Sequence, residues 1–66
     1  METHTIRVNF KKENLTFGER EKFMNEEILR HINNFRDNGL FTQDHEVISK
    51  TGSAFSVKFT LARVNN

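Results

Sequence analysis

Three histidines, His4, His31 and His45, are the residues of this chain best suited to proton transfer or metal binding. Their spacing matches neither HxH, HxxxH nor HExxH, and with no cysteine in the chain no zinc-thiolate set can form. His45 lies between Asp44 and Glu46, a triplet that in the right geometry would make an oriented general base for ribonuclease-like chemistry. On an alternating strand, however, both carboxylates point away from the imidazole's face. His31 falls on an apolar helical stripe, where a core or rim histidine holding one hydrogen bond is the expected state. No GxGxxG, P-loop or GxSxG sequence is present. The residues therefore assign no catalytic group, no metal site and no cofactor, and the expectation is a protein that is not an enzyme.

Cations offer a second kind of chemistry. Ten Lys and Arg balance nine Asp and Glu to a net charge of +1, which excludes a strongly basic nucleic-acid arm while leaving room for a local patch. Arg7, Lys11 and Lys58 alternate with apolar residues, and Lys50 lies near a hairpin. If the apolar residues face a helix, these four would occupy an open sheet face and meet phosphates there. Such binding would be directed at the backbone and sensitive to salt. It would lack base stacking, because the Phe residues of the same strands point inward.

The elements that position these groups are well marked. Thr5 to Lys12 alternates Ile6, Val8 and Phe10 with polar residues, the period of a half-buried strand. Thr16 with Glu19 three residues later forms a capping-box signature, and Asn38-Gly39 supplies a left-handed stop. A helix is expected from about Phe17 to Asn38. At 100° per residue, Phe17, Met24, Ile28, His31, Ile32 and Phe35 share a stripe about 100° wide, the face of a helix packed on one sheet. Phe23 and Leu29 fall outside it and are the candidate partner-binding residues. Leu40 to Ser49 reads as a second strand with apolar ends and a polar middle, Lys50-Thr51-Gly52 as a hairpin loop with left-handed Gly52, and Ser53 to Val64 as the strongest strand. In the preferred register Val47 faces Phe55.

The order is β-α-β-β. A right-handed crossover leaves a central slot that the third strand fills by hairpin return. The expected fold is α+β: a three-stranded antiparallel sheet, order 1-3-2, with one long helix on one face, in a single domain spanning residues 1–66. A chain of this size buries only about 60% of its unfolded surface, and its core supplies roughly 3 to 5 kcal/mol. One sheet face and both edge strands stay bare. A homodimer is expected, its simplest form a six-stranded sheet made by edge pairing across a two-fold axis. No run reaches the roughly 18 apolar residues of a membrane span, and METHTIRVNF lacks the apolar block of a signal peptide, so the expected location is the cytoplasm.

The Asn/Lys/Phe-rich, Cys-free and Pro-free composition, with KKENLTFGEREKFMNEEILRHINNF as a charged helix segment, resembles small accessory proteins of T-even-type phages. The likeness is one of size and composition across the chain and carries over no functional residue. It implies a stoichiometric inhibitor acting in the host cytoplasm on a host protein, such as an RNA-processing toxin or nuclease, with RNA as a further contact. The alternative from the residues alone is a small nucleic-acid-binding regulator using a basic sheet face.

Overall fold

The computed structural model describes residues 1–12 and 14–63. Its elements are β1 (Glu2–Asn9), α1 (Phe17–Asp37), β2 (Leu40–Lys50) and β3 (Ala54–Arg63). They form a three-stranded antiparallel sheet in the order β1-β3-β2 with α1 on one face, the α+β arrangement expected from the sequence. The expected end of the third strand at Val64 lies outside the described residues.

Local chemistry sets the helix ends. The Glu19 amide donates to Thr16 Oγ1 at 3.2 Å, and the Thr16 amide donates to Glu19 Oε1 at 3.0 Å, so two first-turn donors that α1 leaves unpaired are satisfied reciprocally. At the other end Gly39 takes φ +78° and its amide donates to the Arg36 carbonyl, a conformation for which the missing Cβ is required.

The core is built on β3. Phe55, Val57, Phe59 and Leu61 are essentially fully buried, and Met24 and Ile28 of α1 close over them. Ile6, Val8 and Phe10 flank this cluster from the β1 side. With one helix on one thin sheet the molecule is elongated, 46 × 18 × 14 Å. Its radius of gyration, 12.9 Å, exceeds the roughly 11 Å of a compact chain of this length.

Two expectations about packing are corrected. Phe17, placed on the core stripe by its helical angle, is 73% exposed. Phe23, expected to project outward, is half-buried, its ring centroid 5.7 Å from that of Phe10 and 6.4 Å from that of Phe55. The buried face of α1 is rotated toward Arg20, Phe23 and Glu27, because Phe10 continues past the end of β1 and offers these residues a partner; the Arg20 guanidinium stacks over the Phe10 ring at 5.0 Å.

The β2–β3 register is also corrected. Val47 pairs with Val57 rather than Phe55, and Lys50 pairs with Phe55. The pairing shifts twice, leaving Gln43 and Ile48 as extra residues in bulges. The hairpin tip is tighter than expected: the Thr51 amide donates to the Ala54 carbonyl at 2.8 Å, and Thr51 Oγ1 accepts from the Ser53 and Ala54 amides. This hydroxyl-capped turn needs no left-handed residue, and among the described residues Gly39 alone has positive φ.

Candidate interaction surfaces

The strand registers fix which side chains share the open face. Reading across β1, β3 and β2, its rows are Thr3–Thr60–Asp44, Thr5–Lys58–Glu46 and Arg7–Ser56–Ser49. Beyond Thr3, the register brings Met1 beside Ala62, which pairs with Phe41. The face is thus polar along most of its length and apolar at one end, where Met1 is 91% and Phe41 58% exposed. Met1, Glu2, Leu61, Ala62 and Arg63 line an open depression at this end.

The four candidate nucleic-acid residues divide between two faces. Arg7 and Lys58 occupy the open face in adjacent rows on β1 and β3, with Glu46 beside Lys58 and Asp44 one row further, both on β2, so carboxylates border the two cations on one side. Lys50 does not join them. The Ile48 bulge inverts the side-chain alternation after Val47 and turns Lys50 to the helix side, where its Nζ donates to Glu21 Oε1 at 3.2 Å and lies 5.4 Å from the Phe17 ring. Lys11 follows the end of β1, and its Nζ sits 6.0 Å from the Phe23 ring. No continuous basic surface results.

The histidines converge on one side chain. His4 and His45 flank Phe59 from the two outer strands, and the His31 ring of α1 lies 6.2 Å from it. His4 Nε2 lies 3.2 Å from Glu2 Oε2, and this hydrogen bond, ahead of the nearby Arg63 guanidinium, holds the Glu2 carboxyl below its ordinary value. His45 faces the helix side while Asp44 and Glu46 face the other, so neither neighbouring carboxylate orients its ring. Among the described residues no group of three His, Cys, Asp or Glu side chains is placed to hold a metal ion.

Of the two candidate partner-binding residues, Leu29 is 59% exposed on the outer side of α1, whereas Phe23 is engaged by Phe10 and Phe55 and is not an outward anchor. Sequence reasoning missed the β2 flank. Every residue from Gln43 to Lys50 is exposed, and Val47 and Ile48 are the apolar ones among them. The polar middle of this segment hides the signal, since Ile48 reads as a buried strand end until its bulge is known.

Among the described residues no helix is long and apolar enough to cross a membrane. No protein-family model, no curated protein and no solved structure matches this chain.

Proposed function

We propose that this chain is a non-catalytic binding protein that recognises a protein surface through its β2 flank and acts by occupying that surface. The observation that carries the reading is the exposure of β2 from Gln43 to Lys50 together with the apolar side chains Phe41, Val47 and Ile48 that β2 leaves in solvent. A small domain gains by covering such residues, and these side chains are the anchors a protein partner would engage. The proportions and composition shared with phage accessory proteins fit an inhibitor that binds one target stoichiometrically. RNA is the less favoured ligand, because the open face has only two cations, Arg7 and Lys58, bordered by Asp44 and Glu46 on β2, and places no aromatic ring beside them.

Affinity capture with the immobilised full-length chain, with and without nuclease, tests this reading. The expected result is retention of a defined protein that survives nuclease, is lost with Ile48→Asp, and is unchanged by Arg7→Glu combined with Lys58→Glu. Retention that disappears with nuclease and with the double charge reversal would overturn the reading in favour of a nucleic-acid regulator. Turnover of RNA, DNA or nucleotides that is abolished by His45→Ala would overturn its non-catalytic part.

A further inference from the structure

The two edges of the sheet are not equivalent. β2 carries both bulges, which interrupt its alternation and bend its edge. β1 pairs with β3 without a shift from Glu2 to Asn9, contains no proline, and carries two charged residues, Glu2 at its start and Arg7 beside its midpoint. Bulges are a usual means of blunting an edge, and β1 has none.

The backbone polarity of β1 follows from one hydrogen bond. The Phe10 amide donates to the Ser53 carbonyl at 2.9 Å, so Phe10 faces β3. In an antiparallel ladder successive residues alternate in direction, which turns Val8, Ile6, His4 and Glu2 toward β3 as well. Asn9, Arg7, Thr5 and Thr3 therefore aim their N–H and C=O groups outward from the sheet. The midpoint of this outward set is Ile6.

We infer that β1 pairs antiparallel with β1 of a second copy about a two-fold axis through Ile6, making one continuous six-stranded sheet. This register is the one that uses every outward residue. Thr3 pairs with Asn9 of the second copy and Thr5 with Arg7 of the second copy, each exchanging both backbone bonds, about eight in all. The side chains agree with it. Ile6 meets its own counterpart on the helix side, His4 lies opposite Val8 there, and the Thr and Arg pairs lie on the open polar face. Shifting the axis by half a residue would pair outward with inward groups, and shifting it by a whole residue, to Thr5 or Arg7, would leave an outward residue at one end of β1 unpaired.

The helices leave room for this pairing. α1 packs over β3, where Met24 and Ile28 meet Phe55, Val57, Phe59 and Leu61. With each α1 over its own β3, strand spacings of about 4.8 Å hold the two axes about 14 Å apart, beyond the roughly 10 Å of packed helices. The two Arg7 side chains approach as diagonal neighbours on the exposed face, so association tightens as salt rises.

Sedimentation equilibrium and disulfide capture test the inference. Thr5 is exposed and its amide points outward, so changing its side chain leaves the protomer's core untouched. Thr5→Arg sets like charges opposite each other twice across the axis and Thr5→Glu sets opposite charges, moving the dimer constant about two- to thirtyfold in opposite directions. The native chain has no cysteine, so introduced thiols report without background. At Ile6→Cys the two copies' Cα atoms would be about 4.5 Å apart, within disulfide range, and oxidation yields a covalent dimer. At Thr5→Cys they would be more than about 7 Å apart, and the protein stays uncrosslinked. A strictly monomeric chain at high concentration, a dimer indifferent to both Thr5 charges, or equal crosslinking at the two positions would overturn the inference. Ile48→Asp lies on the opposite edge and leaves the dimer constant unchanged, so this pairing and the β2 reading fail separately.

Discussion

Replacing Phe23 and Phe17 by Ala, one at a time, weighs the helix packing seen here against the packing suggested by helical angle alone. A Phe side chain offers roughly 200 Å² of surface. Phe23, held between Phe10 and Phe55, buries most of it, about 150 Å², worth about 3 to 4 kcal/mol at 25 cal/mol per Å². Residual burial in the unfolded chain and the better helix propensity of Ala reduce the expected loss to about 2 to 3 kcal/mol. Phe17 is 73% exposed and meets the Lys50 ammonium at 5.4 Å. The same arithmetic leaves less than about 1 kcal/mol for its removal. For a domain of this size each kcal/mol moves the Tm by roughly 4 to 8 °C, so thermal unfolding followed by circular dichroism should place Phe23→Ala roughly 10 to 20 °C below the parent and Phe17→Ala within about 6 °C of it. Equal shifts, or a larger one for Phe17→Ala, would show that α1 is rotated about its axis relative to the structure and would refute the packing described here.

Further consequences concern the turns and the helix cap. Gly39→Ala places a side chain at φ +78° and should cost about 1 to 2 kcal/mol although nothing lies within 4 Å of the new Cβ; Gly52→Ala, with equal space and no positive φ, should be neutral or stabilising by up to about 1 kcal/mol, both read from urea midpoints. Thr16→Ala removes the acceptor for the Glu19 amide and should lower stability by about 1 kcal/mol in the same assay. The Glu19 carboxyl, accepting the Thr16 amide, is held below its ordinary 4.5 in the folded state, so its contribution is present above pH 4.5 and is lost as pH falls through the lowered value. Glu19→Gln should therefore flatten the fall in Tm below about pH 4.5 and change little of its slope above it; an unaltered acid limb would contradict this role.

The parts of the fold legible in the sequence are those fixed by local chemistry. Thr16 with Glu19 and Asn38-Gly39 bracket a helix because the groups that satisfy its end amides and permit its stop lie within a few residues of each other. The alternation of Phe55, Val57, Phe59 and Leu61 marks the central strand because both of its neighbours are strands and one of its faces is fully covered. What escaped is cross-strand. A helical wheel measures angles from an assumed core direction, and that direction shifted when Phe10, just past the end of β1, supplied a partner for Phe23. The candidate basic set suffered likewise: Arg7 and Lys58 keep their expected face, while Lys50 lost it to a bulge that no single-strand pattern specifies.

The bulges at Gln43 and Ile48 also bear on function. An extra residue leaves the facing strand unchanged but breaks the regular row of outward amides and carbonyls that a further strand would need. β2 therefore offers side chains more readily than backbone, with Ile48 brought into solvent by the irregularity that disqualifies the edge from regular extension. β1 offers the reverse: an unbroken outward ladder whose apolar side chains are already committed to the core beneath α1. Self-pairing draws on backbone regularity and symmetry, which β1 has, whereas recognition of one particular protein draws on irregular side-chain display, which β2 has. Placing the two-fold at β1 carries both β2 flanks to the outer ends of the sheet, where each is free to engage a partner without competing with the dimer contact.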